Sequence, residues 1–372
     1  MAPIPLFKVR MPEGAARVVA EALASGQLSG GPAVDAFEAS LAGFTGNPLA
    51  LATADGPAAL TLALACAGVG AGDEVLVSPL SCLATTAPIA NLGARPVWCD
   101  VDPSTGMLDP ARLPARPGER VRALLLHHWS GDAADVDGAR AYADRHGIAA
   151  IDDASEALGA QWRGRPVGAG AMDFTVLSFH AVKHVTTIDG GALLCRRGPD
   201  LERARRLRRF GIESASFRLP NGDLNPASDI VELGWSFAMN GVAAALGRLQ
   251  MEQAGEVVAR HRENGAWYEH ALKGIAGVTL LARPAHAASA YWTYALRAER
   301  RDDLVRMLHA HGIGAQRLHV RNDAYSGFAG ARSAGELPGV ELVDRENLAI
   351  PCGWWVGAGE REAIAQRIRA GW

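Results

Sequence analysis

Seven short apolar runs recur along the first half of the chain, and stretches with helical spacing separate most of them. The runs are Leu49–Ala54, Glu74–Ser78, Pro96–Asp100, Arg122–His127, Ala149–Asp152, Phe174–Phe179 and Ala192–Cys195. The helical stretches are Glu13–Ala24, Val34–Phe44, Ala58–Ala67, Ala84–Leu92 and Val136–His146. A strand that is apolar on both faces must be covered on both faces, so this alternation predicts an α/β fold: a mainly parallel, seven-stranded sheet between helices. Asp189-Gly190-Gly191 reads as a hairpin-like reversal, and the polar, proline-containing loop Ser214–Ser228 as a rim to an active site. Beyond it, Ala243–Lys273 reads as one long helix, and Val278–Leu281, Tyr291–Leu296 and Asp302–His311 as a smaller α+β unit. With 372 residues, about two domains are expected: residues 1–250, with an N-terminal arm, and residues 251–372.

Composition removes several function classes. Lys and Arg number 37 against 40 Asp and Glu, a net charge of −3, too small to draw nucleic acid without a strong local patch. The five cysteines are odd in number, far apart and never in a CxxC pair, so they read as reduced thiols rather than as a disulfide frame or zinc ribbon. No histidine set has metal-ligand spacing, and no metal is expected. The opening MAPIPLFKVRMPEG lacks a basic-then-apolar leader, and the uncharged stretch from Asp55 to Asp73 is broken by glycines. A cytoplasmic protein without membrane contact is expected. Arg203, Arg205, Arg206, Arg208 and Arg209 crowd one segment, which reads as a solvated helix face or as a clamp for a phosphorylated substrate.

Two strand ends carry the chemistry. Phe174–Phe179 runs into Ser178-Phe179-His180-Ala181-Val182-Lys183-His184-Val185-Thr186-Thr187-Ile188-Asp189-Gly190-Gly191, and Ala149–Asp152 into Asp153-Ala154-Ser155-Glu156. A loop lysine alone is usually a solvated charge, and a strand-end aspartate often caps a helix. In a parallel sheet, however, both ends open on the carboxyl edge, where α/β proteins bind ligands. A lysine and a carboxylate there suit pyridoxal phosphate: the amine forms a Schiff base with the aldehyde, and the acid keeps the pyridine nitrogen protonated.

These motifs resemble the DegT/DnrJ/EryC1/StrS family of sugar aminotransferases. The resemblance rests on SFHAVKHVTTIDGG and IDDASEALGA, and on SGQLSGGPAVDAFEASLAGFTG, GAGDEVLVSPLSCLATTAPIANLGARPVWCDVDPSTG, HHWSGDAADVD, LGWSFAMNGVAAALGRLQ, HGIGAQRLHVRNDAY and IPCGWWV in that order. It implies a fold type I enzyme dependent on pyridoxal 5'-phosphate, acting as a homodimer with active sites at the subunit interface. The implied reaction moves an amino group from glutamate or glutamine to a keto sugar, usually nucleotide-linked, or to a keto cyclitol.

Carried over by resemblance, Lys183 is the Schiff-base lysine and Asp153 the pyridinium partner. Ser178 and the Gly56-Pro57-Ala58 turn fall where the phosphate is held, Pro57 replacing a usual threonine and losing a hydroxyl and an N–H. Cys82 stands where a stacking aromatic is usual. Glu156 replaces a glutamine or histidine near the cofactor's phenolic oxygen, and is expected to be protonated by burial so that it donates rather than repels. Ser236 and Ala238 occupy positions that in relatives reach into the partner's site, with Asn240 as a nearby substitute. His180 and His319 are candidates for substrate contact; His128 lies beside a matched motif, and His127 reads as structural. A branch with histidine in place of the lysine performs 3-deoxygenation, which Lys183 disfavours. Elimination or oxidation on the same cofactor, or a non-catalytic, regulatory relative, remain the alternative readings.

Overall fold

In the computed structural model, which describes residues 2–372, the strand runs form one sheet. Its members are Ala50–Thr53 (β1), Glu74–Val77 (β2), Arg95–Trp98 (β3), Val121–His127 (β4), Ala149–Asp153 (β5), Phe174–Ser178 (β6) and Gly191–Cys195 (β7). They lie in the order β1-β7-β6-β5-β4-β2-β3, and the two-residue strand Arg332–Ser333 adds an eighth member beside β3. Only β7 runs against its neighbours, pairing antiparallel with both β1 and β6. The fold is therefore the expected α/β type with a mainly parallel sheet, and the edge strand comes from the chain's last third. Strand interiors are buried on both faces, as runs such as Leu124-Leu125-Leu126 and Leu193-Leu194-Cys195 require.

Helices Ala15–Ala24 (α1), Pro32–Thr45 (α2), Gly56–Cys66 (α3), Leu83–Asn91 (α4), Val136–His146 (α5) and Gly198–Leu207 (α6) flank this sheet. Close approach sets the glycines around the α3 start. A side chain at Gly191 would place its Cβ 2.2 Å from the Asp55 carbonyl oxygen, so only glycine lets β7 lie against that turn. The expected long helix is two, Gly241–Met251 (α7) and Ala254–Ala271 (α8). Nothing in Glu252-Gln253 marks the break; it falls where the N-terminal arm docks, with Gln250 Nε2 donating to the Arg10 carbonyl at 2.8 Å.

A second core gathers Tyr268, Tyr294, Leu304, Leu308, Leu348, Ile350, Ile364 and Ile368, with Trp355 and Trp372 packed on it. The arm, expected to belong with the large domain, joins both cores. Ile4 lies in the second one and exchanges hydrogen bonds with Gly312 and Gly314 at 2.8 Å, while Leu6 lies in the first. Arg283 adds a buried tie: its guanidinium meets Asp132 of the β4–α5 loop at 2.9 Å, pairs with Glu269 of α8, and lies over Tyr291 and Tyr294. Among the described residues no helix is long and apolar enough to cross a membrane.

Candidate active site

The carboxyl ends of β4, β5 and β6 deliver His127, Asp153 and Ser178 to the floor of one cavity of about 430 Å³. Strand alternation separates the two neighbouring acids. Asp153 turns into the cavity, while Asp152 turns to the other face, where its Oδ1 stands 3.1 Å from His128 Nε2. Asp153 is 3% exposed and held by two donors: Thr85 Oγ1 at 2.6 Å on Oδ2 and the Ser155 N–H at 3.0 Å on Oδ1. Thr85 sits in the first turn of α4, a position that sequence reading passed over because its partner lies in a strand far along the chain.

Lys183 enters from the turn after β6. Its ammonium lies 3.8 Å from the centre of the Trp292 ring on one side and 3.6 Å from Glu156 Oε1 on another. The Trp292 indole N–H donates to the Val182 carbonyl at 2.7 Å, which fixes the ring beside the lysine, and Phe7 of the arm stacks on that ring at 4.8 Å. Charge, π-face and a braced backbone thus converge on a single amine.

Glu156 is almost wholly buried. Oε2 accepts the Ser130 N–H at 2.8 Å, and Oε1 meets His319 Nε2 at 3.1 Å. Burial pushes its carboxyl up, but the Lys183 ammonium and the His319 hydrogen bond outweigh that and hold it below the usual carboxylate range. The expected protonated, donating Glu156 is therefore corrected to an ionised acceptor. His127, read from sequence as structural, forms part of the cavity wall; burial pushes its imidazole down, so the ring is neutral.

A second pocket of donors surrounds the α3 start. Asp55 Oδ1 takes the Ala58 N–H at 2.6 Å and Pro57 has none, so of the Gly56-Pro57-Ala58 turn Gly56 is left to offer its N–H. A Cβ at Gly56 would stand 3.2 Å from Ser178 Cβ, 3.4 Å from Ser178 Oγ and 3.8 Å from Ser155 Oγ, so two hydroxyls and a helix N-terminus face one cradle. A buried carboxylate, an opposing amine and this anion cradle fit pyridoxal phosphate, with Ser155 taking up work that Ala58 cannot do. Cys82 lines the wall as a thiol, since burial pushes its pKa up. His180 lines the cavity with an exposed ring.

Other expected residues lie elsewhere. Asn240 caps α7, accepting the Ala243 N–H at 2.8 Å, and does not line this cavity; Ser236 and Ala238 bridge to Arg209 and Thr53. No residue of the Ser214–Ser228 loop lines it either. Four of the five arginines of the crowded segment are taken by carboxylates, Arg203 by Glu232, Arg205 by Glu202, Arg206 by Glu213 and the mostly buried Arg208 by Glu38, while Arg209 meets the Ser29 hydroxyl, which speaks against a substrate clamp. The sequence reading did not find Phe7, Trp292 and Gln316, all brought in by the arm or the small domain.

Comparison with known proteins bears on this geometry. A family model described as the DegT/DnrJ/EryC1/StrS aminotransferase family matches residues 10–369. A UDP-4-amino-4-deoxy-L-arabinose–oxoglutarate aminotransferase of Shewanella sediminis is 30% identical over 319 residues, 84% of this chain and 82% of that protein. The crystal structure of the sugar aminotransferase CalS13 from Micromonospora echinospora superposes with a TM-score of 0.93 at 36% identity, covering 99% of this chain and 100% of the other. That of DesV from S. venezuelae, solved in complex with a ketimine intermediate, gives 0.91 at 28% identity over 100% and 98% of the two chains.

Proposed function

The chain belongs to the DegT/DnrJ/EryC1/StrS aminotransferase family, and from that premise we propose that it is a sugar aminotransferase dependent on pyridoxal phosphate. It moves an amino group from glutamate or glutamine to a nucleotide-linked keto sugar. One observation carries the reading of the site: Lys183 and the doubly anchored Asp153 line the same cavity on adjacent strand ends, next to an anion cradle. The nucleotide-linked acceptor draws on relatives, one named for a UDP-amino sugar and another, DesI, solved with its TDP-sugar product at 29% identity.

Pyridoxal phosphate, when bound, supplies an electron sink that acidifies the C–H beside the donor's amino group. The chain does the rest. Asp153 would hold the proton on the pyridine nitrogen, with Thr85 and Ser155 fixing the carboxylate's direction. Ser178, Ser155 and the Gly56 N–H would hold the phosphate. Lys183 would anchor the cofactor through its Nζ and, as a free amine, would take a proton at one carbon and return it at another. Trp292 and Phe7 exclude water above the lysine. His180 and His319 face the incoming substrates. We place the enzyme in the cytoplasm as a homodimer, with Asn240 directed to the partner's cavity rather than its own.

The test is a visible spectrum of the purified protein before and after borohydride, then peptide mass mapping. The reduced cofactor is expected on residue 183, and glutamate is expected to yield 2-oxoglutarate in a single turnover. An adduct on another lysine would overturn the site assignment.

A further inference from the structure

One buried acid has no work in the reading above. Glu156 is 1% exposed and stands among bases. Its Oε1 lies 3.6 Å from Lys183 Nζ and 3.1 Å from His319 Nε2, so one oxygen touches both the reacting amine and a ring that is 21% exposed at the cavity mouth. Oε2 is occupied differently, by the Ser130 N–H at 2.8 Å, with His127 Nε2 at 3.8 Å. Cys82 just before α4, Asp153 on β5, His128 beside His127 and His184 beside Lys183 are the other titratable groups facing this cluster. A glutamine here would keep the contact with His319 through its amide oxygen, but it would not carry a proton.

That difference matters because an ammonium has no lone pair to offer a carbon acid. Something must take its proton before Lys183 works as a base and return it afterwards. Trp292 covers one face of the amine with carbon, which leaves Glu156 as the proton acceptor within reach.

We propose that Glu156 and His319 form a proton relay that serves Lys183. In the outward direction, starting from a ring protonated at Nδ1 with Nε2 bare, an Nζ–H bond breaks and an Oε1–H bond forms; the Oε1–H bond then breaks and an Nε2–H bond forms while the Nδ1–H bond breaks and its proton goes to water at the mouth, which leaves Nε2–H donating to an ionised Glu156. No electrons are transferred, and Lys183 is left with its lone pair. The reverse sequence recharges it. His319 follows the Gln316 bridge to Ala349, so the relay joins a strand-end turn of the large sheet to a segment from far along the chain. This inference rests on the assignment of Lys183 as the reacting amine.

The test uses holoenzyme and the amino-donor half-reaction, followed by the bound cofactor's absorbance in single turnover. Glu156→Gln and His319→Asn are each expected to slow it about tenfold or more, with the double variant no slower than the worse single one. Formate is expected to restore Glu156→Ala in a concentration-dependent way, which a merely structural role would not allow. A readout independent of turnover is the pH midpoint of the resting cofactor's absorbance. Removing a negative charge beside the amine is expected to lower it by about one pH unit or more in Glu156→Gln. Borohydride mapping to residue 183 in every variant verifies fold and site; an adduct elsewhere in the parent protein would refute the site assignment instead. With that adduct in place, a His319→Asn rate within twofold of the parent, or no rescue by formate, would overturn the relay.

Discussion

The cavity's floor and its outer wall are built on different principles. The floor, with Asp153, Ser178 and the Gly56 turn, hangs on strand ends and a helix start that local sequence dictates. The wall, with Phe7, Trp292, Gln316 and His319, is assembled from segments at opposite extremities of the chain that share no local pattern. Asp153, Ser178 and Lys183 stand on or just beyond buried strand ends, whereas Phe7, Trp292 and Gln316 are brought in from the arm and the last third of the chain; His319 crosses this division, standing in the wall yet serving the proposed relay. A family can thus keep one reaction while changing what it acts on.

Changes in the floor are expected to abolish chemistry, and changes in the wall to alter selection. The largest effect is expected from Lys183→Ala: no borohydride adduct, and turnover down by about 10⁴-fold or more with an unchanged circular dichroism spectrum. Asp153→Asn keeps the Ser155 N–H bond on its oxygen and reverses the Thr85 bond, the amide NH2 donating to Oγ1, yet removes the charge. Cofactor is expected to stay bound while single-turnover rates fall about 10²–10³-fold; near-normal rates would show that the floor's acid has no part in the chemistry.

The third prediction concerns the seam between the two regions. The rings of His184, next to Lys183, and His261 of α8 lie 4.5 Å apart at a 50° tilt, their nitrogens meeting the Ala290 and Tyr291 carbonyls. Burial pushes both imidazoles down, His261 to about 4. Because the folded value lies below the free one, stability is fully present above the ordinary histidine value of about 6.5 and is lost as pH falls from there toward about 4. For His261 alone this amounts to about 3 kcal/mol, measurable by urea unfolding between pH 7 and pH 4. A flat profile would show that the rings are not buried as a pair. The smallest effect is expected from Phe7→Ala: the acceptor's KM rises roughly threefold while the donor half-reaction holds, since the ring braces Trp292 without touching the amine. An equal loss in both half-reactions would erase the division between floor and wall.

The same division sets what the amino-acid order reveals. Strand runs, Asp153 against Asp152, Ser178 and Lys183 are legible because each depends on alternation or on a motif at a strand end. The break between α7 and α8 is not, because Arg10 docking at Gln250, and no glycine or proline, accompanies it. Asn240's capping of the Ala243 N–H is also not announced by its motif. Thr85 and Trp292 escape notice because their partners, Asp153 and Val182, lie in other elements. The charge state of Glu156 is likewise invisible without the three-dimensional neighbourhood that supplies Lys183 and His319.

The stack of Phe7 on Trp292 also has a bearing on synthesis. A ribosome delivers the first ring 285 residues ahead of the second. The parallel sheet can form around its strand ends in the meantime, since domains fold as units during translation. The nascent chain therefore passes through a period with Lys183 in place at its strand end and no Phe7–Trp292 stack beside it.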